Sequence, residues 1–184
     1  MGQDTDDQNN WRVLSARELL HIPGRARVTV EAVELPGGRV VDDYVQVALN
    51  DFVVILAETE NAETILLRMY RHGARRSGLE LPAGCVDDGE EPLHAAKREL
   101  LEETGYVSER WEALGSYVLS GTQGGGTGHL FRAYDAMRVQ EPSSGDLEIA
   151  SVETVSAERL RRAIRGHEFL TLSHLATIAA AKLG

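Results

Sequence analysis

The sequence predicts a mixed α/β domain, and three observations carry that prediction. Two apolar runs of strand length, residues 52–56 and 64–67, flank a short polar stretch. A helical repeat with its own start and stop residues lies between Pro92 and Gly105. From there to the C terminus, strand patterns and helix patterns are interspersed, which favours packed layers of both kinds over an all-α or all-β domain.

The chain opens on MGQDTDDQNN, acidic and polar, so residues 1–10 read as a disordered tail. This stretch has neither the basic nor the apolar region of a secretory leader. An N-terminal β extension is expected over residues 11–47. Within it VTVEAVE, residues 28–34, alternates in character and meets the turn Pro36-Gly37-Gly38. A less regular run, residues 40–47, completes a β-hairpin. The main domain is expected over residues 48–184, starting with the two core strands. Pro92 suits the first turn of a helix over residues 92–103, and Gly105 suits the position just past its end. Leu93, Ala96 and Leu100 recur at helical spacing and should face the core. Further strands are expected at 117–119, 130–134 and 149–155, with a glycine-rich loop over 121–128 and helices at 157–165 and 170–183. Trp11, Trp111 and Cys85 read as packing residues.

Composition narrows the function. Nineteen basic residues against 29 acidic ones leave a net charge of -10, which repels a phosphate backbone and argues against nucleic-acid binding. A small phosphorylated substrate remains compatible, because metal ions offset the charge locally. No apolar run approaches a membrane span, so no membrane partner is expected. Cys85 is the single cysteine, which excludes an intrachain disulfide and fits a reducing cytoplasm.

The informative segment is GCVDDGEEPLHAAKRELLEETGY, from Gly84 to Tyr106. On the helix Glu99 and Glu103 are four residues apart and Glu102 is three from Glu99, so the three project from overlapping parts of one face. Their mutual repulsion gives a helix nothing unless a cation sits there, and carboxylate oxygens are hard ligands suited to Mg²⁺ or Mn²⁺. Arg98, four residues before Glu102, can hold that carboxylate in place.

The spacing G-x5-E-x7-R-E-U-x-E-E-x-G-U, with U bulky and apolar, is met by Gly84, Glu90, Arg98, Glu99, Leu100, Glu102, Glu103 and Gly105; Tyr106 departs mildly at the last position. The segment therefore resembles the Nudix box. LLRMYRHG and LELPAG, between Leu66 and Gly84, resemble the ADP-ribose pyrophosphatase branch of that family. The resemblance implies a Nudix-type α/β/α sandwich with a mixed β-sheet, an N-terminal β-hairpin extension, and residues 48–184 as the hydrolase domain. It implies metal-dependent cleavage of the pyrophosphate of a nucleoside diphosphate sugar, ADP-ribose to AMP and ribose 5-phosphate first among candidates.

The resemblance also implies residue roles. Ala83 through its carbonyl, Glu99 and Glu103 are candidate Mg²⁺ or Mn²⁺ ligands, with Glu102 as a further one. Glu102 and Glu148, the latter on the late segment GDLEI, are candidates for the proton acceptor, and Arg98 supports Glu102. Arg71 and Glu80 are candidate substrate-binding residues. A homodimer is implied, with the extension 11–47 a candidate for exchange between subunits. One departure concerns the segment after the box. The branch often carries a Ser-Pro-Gly-type motif there, where this chain has SGTQGGGTG, residues 120–128. Two readings stay open beside ADP-ribose hydrolysis: cleavage of GDP-mannose or another nucleoside diphosphate sugar, and a non-catalytic sensor of such a compound. His129 reads as structural, and the other histidines form no metal-ligand spacing.

Overall fold

A computed structural model describes residues 10–143 and 150–182. In chain order the elements are β1 (Arg12–Ile22), β2 (Ala26–Glu34), β3 (Val40–Leu49), β4 (Phe52–Thr59), β5 (Thr64–Arg71), β6 (Arg76–Glu80), β7 (Ala83–Cys85), α1 (Pro92–Thr104), β8 (Tyr106–Val107), β9 (Arg110–Ser120), β10 (Gly124–Arg138), β11 (Ser151–Val155), α2 (Ala157–Arg165) and α3 (Leu172–Ala180). They group into two compact units: the described residues up to Asn50 with Val118–Thr127, and Asp51–Tyr117 with the described residues from Gly128 onward.

The first unit is an antiparallel meander. β2 pairs with β3 as the hairpin pattern predicts, and β1 adds a strand on the other side of β2. The sequence reading places residues 11–47 in a β extension but does not delimit β1 within it. Its register slips between Val13 and Ser15 and between Glu18 and Leu20, so adjacent apolar residues such as Leu19 and Leu20 replace strict alternation. All eleven residues of β1 are exposed. Trp11, expected as a packing residue, is half exposed and meets the edge of Tyr44 at 5.3 Å between ring centroids.

The glycine-rich stretch differs from the expected loop. Only residues 121–123 turn, and β10 begins at Gly124, which pairs in parallel with Val47. Gly124, Gly125 and Gly126 hold φ of +78°, +94° and +85°, a left-handed run that side chains disfavour. A Cβ on Gly126 would stand 2.6 Å from the Asn50 carbonyl oxygen. Glycine here lets a strand take a path that residue pattern alone reads as loop.

The second unit is built around β4. β10 pairs with it in parallel from Gly128↔Phe52 onward, and β7 pairs antiparallel through Phe52↔Cys85, Val53↔Gly84 and Val54↔Ala83. β5 carries β6 and β11 antiparallel, giving the mixed sheet that the sequence predicts. Alternate residues of β4 enter opposite cores. Val54 and Leu56 pack with Leu66, Leu130, Leu160 and Ile178, beneath α2 and α3. Val53, Ile55 and Ala57 pack with Ile65, Phe131, Ala96 and Leu100, beneath α1. Both faces of β4 are thus dry, which is why the strand reads as a continuous apolar run. Helices cover both sides, so the α/β/α sandwich is present. Each fully buried Leu or Ile contributes about 1.5–3 kcal/mol to it.

α1 starts on Pro92 and ends on Gly105, whose N–H donates to the Leu101 carbonyl at 2.8 Å. Ala96 and Leu100 are fully buried and Leu93 packs partly against them, as the helical spacing predicts. α2 spans the predicted residues, with Ser156 capping its N terminus. α3 is shorter at both ends than the pattern suggests. Among the described residues no helix is long and apolar enough to cross a membrane.

Candidate active site

The box residues assemble where α1 passes over β7. Two local features bring them together. The turn before α1 is closed by the Asp87 and Glu90 backbones, and α1 then points its acidic face back at β7. β7 is held flat against β4, so its backbone at Ala83 and Gly84 meets that face. Glu103, 6% exposed, accepts a hydrogen bond on Oε2 from the Ala83 N–H at 2.9 Å. A Cβ on Gly84 would overlap the Glu99 carboxylate, so the absence of a side chain there is what admits it.

Arg98 ties the remaining carboxylates. Its Nε and Nη2 donate to Glu90 at 3.1 and 2.9 Å, its Nη1 to Glu99 at 2.7 Å and to Glu102 at 3.3 Å, and Nη2 also to the Cys85 carbonyl at 3.0 Å. Glu90 takes a further bond from the Asp87 N–H at 3.1 Å. The Arg98 bond, and next the Asp87 N–H, hold the Glu90 carboxyl below the usual carboxylate range. Reciprocally, the bond to Glu90 is the largest influence raising the Arg98 pKa, so this guanidinium is a fixed cation. Sequence spacing pairs Arg98 with Glu102; the shorter contacts go to Glu90 and Glu99. Glu102 lies at the exposed margin, its side chain 44% accessible against 12% for Glu99. Among the described residues, no three acidic, histidine or cysteine side chains converge into one ligand cluster. What converges is two carboxylates and the backbone of residues 83–84. Cys85, expected to pack, is exposed, because the short β7 ends on it.

Arg71 and Glu80 come together across the β5–β6 pair. Glu80 is 1% exposed, accepts from Arg71 Nε on Oε2 at 2.5 Å and from the Thr171 hydroxyl on Oε1 at 3.2 Å. Next to it the Leu81 N–H donates to His174 Nδ1 at 2.8 Å. Burial, with the Arg71 charge as a lesser influence, pushes the His174 pKa down to about 3, so the imidazole is neutral and Nδ1 is available as an acceptor. Sequence reasoning missed Thr171 and His174. They stand 91 and 93 residues from their partners, and nothing in their neighbourhood marks them. Glu148 lies outside the described residues. His129 sits inside β10, 2.8 Å from the Ser116 hydroxyl. Trp111 packs on the core beneath α1, meeting Phe131 edge-on.

The NUDIX domain family matches residues 49–172. The chain is 31% identical over 140 residues to an ADP-ribose pyrophosphatase of Bacillus subtilis, covering 76% of this chain and 75% of that protein. It is 32% identical over 165 residues to an ADP-ribose pyrophosphatase of Mycobacterium tuberculosis, covering 86% and 77%. In fold it matches the crystal structure of an ADP compounds hydrolase with a TM-score of 0.80 at 16% identity, over 97% of this chain and 95% of that one. With a domain match over most of its length and relatives of this identity and coverage, the chain belongs to the Nudix family and is a hydrolase similar to the ADP-ribose pyrophosphatases.

Proposed function

We propose that this hydrolase cleaves the pyrophosphate of a nucleoside diphosphate sugar with a divalent cation, Mg²⁺ or Mn²⁺, and that ADP-ribose, cut to AMP and ribose 5-phosphate, is its preferred substrate. The observation that carries this reading is the meeting of Glu99 and Glu103 at the Ala83–Gly84 backbone. The residues fit such an ion. They offer oxygen donors only, and the space beside Gly84 that a Cβ would fill holds a carboxylate. Glu99, Glu103 and the Ala83 carbonyl would hold the metal, with Glu102 at the margin as a further ligand. A divalent cation bound there supplies charge neutralisation of the pyrophosphate and a lowered pKa for the attacking water.

The chain's own groups do the rest. Arg98 keeps Glu99 and Glu102 at fixed positions against their mutual repulsion. Glu102 or Glu148 takes the proton of the water as its oxygen bonds to phosphorus and the bridging P–O bond breaks. Arg71, its side chain 31% accessible, meets a substrate phosphate or ribose, and buried Glu80 orients it. The names of the two bacterial relatives support the substrate class.

The test is phosphate release, coupled to a phosphatase, on ADP-ribose, GDP-mannose, UDP-glucose and nucleoside triphosphates with Mg²⁺, Mn²⁺ or EDTA. We expect EDTA-sensitive release that is fastest on ADP-ribose. A faster rate on another compound transfers the function to that compound. Silence across the panel from folded, metal-bound protein overturns the proposed substrate and points to a compound outside the panel or to a non-catalytic sensor.

We further propose that the chain works as a homodimer in the cytoplasm, joined through the sheet of the first unit. β1 presents Val13, Leu14, Leu19, Leu20 and Ile22 to solvent on a strand paired with β2 alone among the described residues. Such an apolar edge calls for a partner. Sedimentation equilibrium should give twice the 20.2 kDa chain mass, and a single-chain mass at micromolar concentration would refute the dimer.

A further inference from the structure

We infer that Thr171 and His174, at the start of α3, are positioning residues of the reaction: they fix residues 80 and 81 and, through them, the Ala83 carbonyl and the Arg71 guanidinium. The inference rests on the metal site proposed above and deepens it.

The path between β6 and β7 explains why such help is needed. β6 ends at Glu80, β7 begins at Ala83, and Pro82 between them has no N–H to donate. The polar backbone of this bend is therefore held from several directions. Leu81 N–H goes to His174 Nδ1, Pro82 O accepts from Ile55 N–H at 2.9 Å, and Ala83 N–H goes to Glu103. The segment leading into α3 runs alongside: Leu79 N–H donates to the Glu168 carbonyl at 2.9 Å, and Leu79 bridges in parallel with Phe169. The start of the last helix thus grips the two residues ahead of the bend.

Thr171 supplies the independent observation. It occupies the N-cap of α3, where a threonine hydroxyl ordinarily accepts from an N–H of the first turn. Here it makes no such bond, and its hydroxyl donates to Glu80 instead. Glu80 in turn holds Arg71. A residue type suited to stabilising its own helix is turned toward a buried carboxylate that orients a substrate-facing cation.

The experiment compares wild type, Thr171→Val and Thr171→Ser. It measures kcat and KM on ADP-ribose, Mn²⁺ affinity from the electron paramagnetic resonance signal of the free ion, and the thermal midpoint. Loss of an outer partner of this kind costs roughly tenfold to a hundredfold in metal affinity or activity. We expect Thr171→Val at the low end, about tenfold lower in kcat/KM with weakened Mn²⁺ binding, and Thr171→Ser near wild type. If the valine variant does not fold, Thr171→Ala carries the same expectation. Wild-type kcat/KM and Mn²⁺ affinity in a folded hydroxyl-free variant overturn the inference. So does equal loss in the serine and valine variants that tracks the thermal midpoint, since that marks a purely structural role. Wild-type protein that ignores EDTA or binds no Mn²⁺ removes the metal site itself, a result distinct from either.

Discussion

Replacing Glu103 by glutamine is expected to lower turnover by about a thousandfold while the fold survives. Charge stabilisation by a bound cation contributes several kcal/mol, and each 1.36 kcal/mol is a factor of ten in rate. Glutamine is close to isosteric, and its amide oxygen still accepts from the Ala83 N–H that glutamate accepts from now. The substitution therefore removes a charge from the proposed ligand set and leaves the bond between α1 and β7. The check is kcat for the variant beside its thermal midpoint and circular dichroism. A drop in rate with an unchanged midpoint is the expected pair of results. A folded variant at wild-type kcat would remove Glu103 from the metal site.

Gly84→Ala should cost about a hundredfold in kcat for a different reason. The added Cβ overlaps the Glu99 carboxylate, which must move aside by the order of an ångström. A displacement of about that size costs roughly 10²-fold when it disturbs reacting geometry. Gly84 does not occupy the left-handed backbone region, so alanine brings no conformational strain of its own. The group that yields is the end of a flexible side chain, so stability should change by less than about 1 kcal/mol. Measured together, kcat should fall and the urea midpoint should hold. Unchanged turnover would mean that Glu99 need not lie against this backbone.

The two predictions separate what each substitution reads. Glu103→Gln alters ligand charge at fixed geometry, and Gly84→Ala alters geometry at fixed charge. Thr171→Val acts farther out, through Glu80 and the bend at Pro82. A graded series, largest at Glu103 and smallest at Thr171, is what an ordered set of supports around one site produces.

Much of this protein was legible from residue order. Helix α1 could be placed from Pro92, Gly105 and the spacing of Ala96 and Leu100, because proline, glycine and a 3.6-residue repeat act within one element. The box residues are legible the same way, since carboxylates four residues apart on one helix need no tertiary information. The core strands β4 and β5 showed as apolar runs because both of their faces are buried. Within the expected β extension the limits of β1 stayed hidden, its alternation broken by two register slips. The start of β10 was read as loop because three glycines carry no pattern of their own.

By itself the sequence determined the composition class, the two-sided burial of β4 and the one-helix constellation of Glu99, Glu102 and Glu103. These depend on local periodicity and on residue chemistry. Only the tertiary structure decided which groups share Arg98, how closely Glu99 approaches Gly84, and that Thr171 and His174 reach Glu80 and Leu81. Those contacts join residues up to 93 positions apart, where no local period connects the partners. Their meeting follows from how β6, β7 and α3 pack around shared cores, and that packing is a property of the whole chain.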